Sequence, residues 1–134
     1  MKICRRETFN AAHRLFVADW SDDKNQSVFG KCSNPNYHGH NYVLETYVEG
    51  PIDPITGYVF DLGLLKKIIH DEIVDRFDHR NLNLDCPEFK GINPTAENIA
   101  VVCHQIIQQH IPSHLKLSVR LYETDKNWVE YAGN

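Results

Sequence analysis

No stretch of this 134-residue sequence approaches the run of about 18 apolar residues that a membrane span requires, so no membrane partner is expected. A basic excess is missing too. Fourteen Lys and Arg stand against eighteen Asp and Glu, a formal net charge of −4. That balance disfavours a general nucleic-acid binder, whose affinity comes from neutralising phosphates. Cysteines are few: Cys4, Cys32, Cys86 and Cys103, none spaced as Cys-x-x-Cys. This argues against a disulfide scaffold and fits a reducing compartment. Met1 to Glu7 has no apolar signal-peptide segment, and the expected location is cytoplasmic. Repeats, linkers and low-complexity blocks are also absent. With 42% hydrophobic and 24% charged residues, a single globular domain over 1–134 is expected. What stands out against these absences is histidine, at eight residues.

Residues 2–13 read as a first strand. Residues 17–36 are rich in Asp, Ser, Asn, Gly and Pro and read as a long loop, a length that in a compact domain is usually functional or disordered. Residues 38–49 are β-branched and aromatic and read as a second strand. After a turn at 51–57 the period changes. Leu65, Ile68, Ile69 and Ile73 make a helical stripe with Asp61 as N-cap. A second helix runs from Thr95 to about His110, with Ile99, Val102, Cys103, Ile106 and Ile107 as its stripe. Thr95 caps it, Glu97 suits its positive end, and Pro112 stops it. Leu117, Val119 and Leu121 then alternate with polar neighbours as a half-buried strand, and 127–132 returns as a hairpin partner. Segregated strands and helices predict an α+β fold, an antiparallel sheet with helices on one face. Cys4 and Cys103 lie in apolar patterns and are expected to be buried.

The densest chemistry lies in Cys32-Ser33-Asn34-Pro35-Asn36-Tyr37-His38-Gly39-His40. In an extended segment, residues two apart share a side, so His38 and His40 can present imidazoles to one point. As a bare pattern this also fits two surface histidines. A third ligand is available at His13, which ends the first strand. Three histidines make the catalytic type of zinc site, with a fourth position open. Cys32 fits two roles: a fourth ligand closing a structural site, or a nucleophile or base beside the metal. Asp78-His79 follows the first helix and also reads as a polar turn, with adjacent side chains expected to point apart. Glu123 continues the row Leu117, Val119, Leu121 by period two, at the solvent rim or with a partner. A heterocycle with an N–H and an amino group would suit its carboxylate. Thr95 and Glu97 have an adequate reading as a helix start.

Together these residues resemble a known family. Phe9-x-Ala11-Ala12-His13, Cys32-x5-His38-Gly39-His40, Asp78-His79-x-Asn81-Leu82, Pro94-Thr95-x-Glu97-Asn98 and Tyr122-Glu123-Thr124 look like the 6-pyruvoyl-tetrahydropterin synthases, in the same order and across nearly the whole chain. The resemblance implies a tunnelling fold (T-fold), a four-stranded antiparallel sheet with two helices on one face. It also implies a homohexamer built as a dimer of trimers. It implies zinc on His13, His38 and His40, Cys32 as general base, and Asp78 and His79 as its relay. Glu123 would anchor the pterin, with Thr95 and Glu97 near that pocket. The implied substrate is 7,8-dihydroneopterin triphosphate, converted by internal redox transfer and triphosphate elimination. Arg14 and Lys31 are cations beside the site, each also readable, and preferably read, as a solvated surface charge.

The 6-carboxy-tetrahydropterin synthases of queuosine biosynthesis share this implied fold, zinc and substrate, and also expel acetaldehyde. They commonly place three residues between the Cys and His-Gly-His, where this chain has five. Gly57-Tyr58-Val59-Phe60-Asp61, by contrast, looks more like that group. The spacing favours the pyruvoyl-forming reading. A non-catalytic module with structural zinc that binds a pterin is the remaining alternative.

Overall fold

The two longest strands, β1 (Lys2–His13) and β2 (His38–Glu49), alternate in burial along their length in a computed structural model of residues 1–134. They pair antiparallel along their whole length, from Lys2 opposite Glu49 to His13 opposite His38. α1 (Asp22–Phe29) lies between them, α2 (Leu62–Ile69) follows, and a π-helical turn (His70–Val74) leads into the short α3 (Asp75–Phe77). β3 (Arg80–Asn81), α4 (Ala96–Gln108), β4 (Lys116–Tyr122) and β5 (Trp128–Tyr131) complete the chain. The sheet order is β3-β1-β2-β4-β5.

The expected α+β fold is what forms, with two differences. The sheet has five strands rather than four, because β3 joins the edge of β1 in parallel, opposite Ala11 and Ala12. A two-residue strand has no side-chain period. It is held by backbone bonds, His79 N–H to Asn10 O at 2.6 Å and Leu82 N–H to Ala12 O at 2.8 Å, and by Asn81 N–H to Asp85 Oδ2 at 2.8 Å. The second difference is α1, inside the segment read as loop. It is a polar helix with no apolar stripe, and Asn25 is its one buried residue. Ser21 caps its N-terminus, and the Asn25 amide bonds both the N–H and the C=O of Val17.

Twenty-four buried apolar residues form one core. Leu65, Ile69 and Ile73, with Ile99, Cys103 and Ile107 of α4, cover the sheet row of Tyr42, Leu44, Val48, Val119 and Leu121. The N-caps are those expected: Asp61 accepts from Gly63 and Leu64 N–H, and Thr95 from Asn98 N–H. The opposite sheet face carries no helix. Cys4 is exposed there, not buried as expected, because its position in β1 is out of phase with the core-facing Phe9 and Ala11. On the same face Arg120 stacks on Trp128 at 4.3 Å and bonds Glu130. No helix is long and apolar enough to cross a membrane.

Candidate metal centre and active site

The register of β1 against β2 builds the centre. His13 stands opposite His38, and Ala11 opposite His40. Strand alternation puts all three imidazoles on the helix-covered side. His13 Nε2 and His38 Nε2 are 2.9 Å apart, and one ligand atom from each histidine lies within 4.8 Å of the others. His13 is wholly buried, with Nδ1 2.7 Å from the carbonyl oxygen of Pro94, just before α4. A carbonyl only accepts, so Nδ1 carries the proton and Nε2 presents its lone pair to the cluster. His40 Nε2 and His38 Nδ1 are buried without any hydrogen-bond partner. Burial, together with the neighbouring imidazoles His38 and His40, pulls His13 down to about 4. Burial and His40 pull His38 down as well. Three imidazoles with converging nitrogens, that of His40 left without a partner, are the donor set that fits a zinc-type cation.

Glu123 follows the last residue of β4, and its carboxylate lies over the cluster. Oε2 is 3.9 Å from His13 Nε2 and Oε1 is 3.9 Å from His40 Nε2. The period-two row therefore leads where the sequence placed it. Cys32 sits in a 3₁₀ turn (Gly30–Ser33), half-buried, and its carbonyl accepts from Leu15 N–H at 2.8 Å. The thiol is not one of the converging donors. It shares with His38 and His40 the lining of an adjoining cavity of about 670 Å³. Burial, and then the Glu123 carboxylate, push this thiol above its ordinary value.

Thr95 and Glu97, at the start of α4, line a second cavity of about 430 Å³ with Glu123, Leu15 and Phe29. The helix start thus serves both as a cap and as a wall. A larger cavity of about 700 Å³, walled by Phe16, Leu84, Phe89 and Ile92, contains none of the candidate residues. Asp85, Cys86 and Lys90 also line it, but only the three imidazoles converge on one point, so the chemistry is assigned to the histidine cluster.

Asp78 and His79 are not brought to Cys32. They lie at the outer edge of β1, where Asp78 Oδ1 accepts from Asn10 N–H at 2.7 Å. Contrary to expectation, the two side chains meet: His79 Nδ1 is 2.7 Å from Asp78 Oδ2. His79 has φ 59, and this left-handed backbone turns the ring back onto its neighbour. The Asn10 amide, and then His79, hold the Asp78 carboxyl below its usual range. The His79 side chain is 83% exposed.

Of the other cations, Arg14 is occupied, donating from Nε to Ser33 O at 2.8 Å and stacking on Phe16 at 4.1 Å. Of the histidines outside the candidate set, His104 is buried, with Nε2 3.2 Å from Leu117 O. Sequence reasoning missed three contributors to the site. The Pro94 carbonyl is backbone and carries no residue-type signal. Gln26 and Phe29 sit on or at the end of α1, whose Ser21 cap followed by Asp22 and Asp23 was the available sign.

The sheet, the helices on one face and the three imidazoles at the strand tips define a tunnelling-fold protein. A solved structure of this kind, Caenorhabditis elegans 6-pyruvoyl tetrahydropterin synthase, superposes with a TM-score of 0.93 at 40% identity, covering 100% of this chain and 96% of that one. A family profile described as 6-pyruvoyl tetrahydropterin synthase matches residues 2–134, and the chain belongs to that family. A Pongo abelii protein named 6-pyruvoyl tetrahydrobiopterin synthase is 46% identical over 132 residues, 98% of this chain and 91% of that protein. A Rickettsia typhi protein named 6-carboxy-5,6,7,8-tetrahydropterin synthase is less similar, 30% identical over 148 residues, 97% of this chain and 99% of that protein. The higher identity supports an enzyme of the pyruvoyl type.

Proposed function

We propose that this chain is a zinc-dependent 6-pyruvoyl-tetrahydropterin synthase, a carbon–oxygen lyase acting on 7,8-dihydroneopterin triphosphate. The observation that carries the reading is the convergence of the His13, His38 and His40 imidazoles, with His40 Nε2 unsatisfied, beside Cys32 and Glu123. His13, His38 and His40 would hold the zinc. Bound there, it supplies Lewis acidity, polarising the substrate side-chain hydroxyls and acidifying the adjacent C–H bonds. Glu123 accepts paired hydrogen bonds from the pterin ring N–H and amino group, between the walls formed by Thr95 and Glu97. Cys32, as thiolate, removes a side-chain carbon-bound proton. Return of a proton moves reducing equivalents from side chain to ring, and elimination releases triphosphate.

Asp78 and His79 bond to each other and to Asn10 and share no hydrogen bond or cavity wall with Cys32, which favours a relay between copies over one within a chain. An exposed His79 and a sheet face without helices suit an assembly in which one copy's dyad serves another copy's Cys32. That is consistent with a homohexamer.

Asp61, which favoured the carboxy-forming reading, has a sufficient structural role as the cap of α2. Incubation with dihydroneopterin triphosphate followed by mass spectrometry tests the reading. A pyruvoyl product supports it. A carboxy product with acetaldehyde replaces it with the queuosine-type reaction, and no turnover leaves a binding module.

A further inference from the structure

The turn that carries Cys32 hangs from the two residues that follow a histidine of the cluster. β1 ends at His13, and the next two residues each hold a carbonyl of the 3₁₀ turn Gly30–Ser33. Leu15 N–H donates to Cys32 O at 2.8 Å, and Arg14 Nε–H donates to Ser33 O at 2.8 Å. The buried Ser33 hydroxyl lies 3.0 Å from Gly30 O and 3.3 Å from Gln26 Oε1 of α1. Arg14 thus supplies the side-chain bond between this turn and the end of β1. Short 3₁₀ turns have poor internal hydrogen-bond geometry and depend on such outside ties to keep their place.

Arg14 is itself fixed on both sides. Its guanidinium lies 4.1 Å over the Phe16 ring, which restricts a side chain otherwise rich in rotamers. Its backbone is bracketed by the Asn83 amide: Oδ1 accepts from Arg14 N–H at 2.8 Å, and Nδ2 donates to Arg14 O at 2.9 Å. Phe16 N–H is held by Asn93 Oδ1 at 3.1 Å, next to the Pro94 whose carbonyl meets His13. Beyond the sheet, the N–H groups of Arg14, Leu15 and Phe16 therefore find partners at Asn83, Cys32 and Asn93.

The geometry points to Arg14 as a positioning residue for Cys32, holding the thiol turn through Ser33 O at a fixed place beside the imidazoles. This rests on the function proposed above. A base that takes a carbon-bound proton must keep its place, and a shift of about 1 Å can cost on the order of a hundredfold in rate. Arginine suits the task, because its Nε–H lies in a rigid plane whose direction the Phe16 stack sets; a lysine carries the charge with no donor at that point. Arg14 acts through Ser33 and Cys32, so its loss lowers kcat and leaves zinc and KM in place.

The test compares Arg14→Met and Arg14→Lys in zinc-loaded protein whose exposed Cys4 is replaced by Ser. It reads turnover of dihydroneopterin triphosphate, zinc per chain and the rate at which iodoacetamide alkylates Cys32. Arg14→Met is expected to lower kcat about ten- to a hundredfold, with KM within about twofold and zinc unchanged. Freed of its tether, the half-buried thiol should alkylate at least about threefold faster. Arg14→Lys should behave like Arg14→Met. A kcat restored by Arg14→Lys, or a rise in KM at unchanged kcat, gives Arg14 a charge role and overturns the positioning role. If Arg14→Met does not fold, Asn83→Ala loosens Arg14 through its backbone and should give a smaller fall in kcat with the same faster alkylation. Alkylation unchanged by both Arg14→Lys and Asn83→Ala overturns the inference and leaves the proposed function standing. Absence of turnover by the Cys4→Ser parent overturns the proposed function, and the alkylation rates still decide whether Arg14 holds the turn.

Discussion

His13 Nδ1 lies 2.7 Å from the carbonyl oxygen of Pro94, across 81 residues of chain. This contact joins the tip of β1 to the entry of α4 and fixes the tautomer of the buried imidazole. It makes the donor cluster sensitive to the order of the segment before α4. It also ties the metal ligands to the wall that Thr95 and Glu97 form.

The donor geometry leads to a prediction for metal content. His13→Ala, His38→Ala and His40→Ala should each strip zinc from the purified protein, while Cys32→Ala retains it. Elemental analysis per chain decides this. Zinc lost with Cys32→Ala would favour the closed structural site. The same Cys32→Ala protein should lose turnover by on the order of a hundredfold or more, the contribution of a positioned general base.

The separation of Cys32 from the Asp78–His79 pair predicts complementation. Cys32→Ala and His79→Ala chains, each inactive alone, should recover activity when mixed and reassembled. Recovery requires one copy's dyad to meet another copy's thiol. Sedimentation as a monomer, with no gain on mixing, would rule out a relay between copies.

The Glu123 carboxylate acts on two neighbours, and a single substitution separates the effects. Glu123→Gln removes a negative charge that raises the Cys32 thiol. Cys32 should then alkylate faster at pH 7, with its rate profile shifted to lower pH, measured with Cys4 replaced by Ser. Glu123→Ala should weaken pterin binding by on the order of ten- to a hundredfold with zinc retained. Unchanged pterin affinity would remove Glu123 as the anchor.

Acid should destabilise the metal-free protein through His13, which titrates near 4 when folded and near 6.5 when unfolded. Between these values the unfolded chain binds more protons, so stability falls as pH drops through that window. Above about pH 7 this group contributes no slope, and the loss is at most about 3 kcal/mol at low pH. Urea midpoints of chelated protein at pH 5 and pH 7 report it, and His13→Gln should flatten the dependence.

Much of this molecule was legible from periodicity because burial is what periodicity records. The period of two in β4 set its faces and carried Glu123 onto the same side as the imidazoles, while β2 was legible from its β-branched and aromatic residues. The helical stripes of α2 and α4 and their Asp61 and Thr95 caps were equally plain. α1 was not, since a helix with only Asn25 buried writes no apolar stripe. β3 was not, since two residues have no period.

By itself the sequence determined the α+β order and put His13, His38, His40 and Glu123 at strand ends on one face, because side-chain direction along a strand follows from position alone; Cys32, in a turn, was marked only by its nearness in sequence to His38 and His40. The tertiary structure alone decided that Pro94 orients His13, that His79 folds back onto Asp78, and that the start of α4 and Glu123 wall one cavity. Those relationships depend on backbone groups, a left-handed residue and the packing of distant segments, none of which a residue's type or spacing encodes.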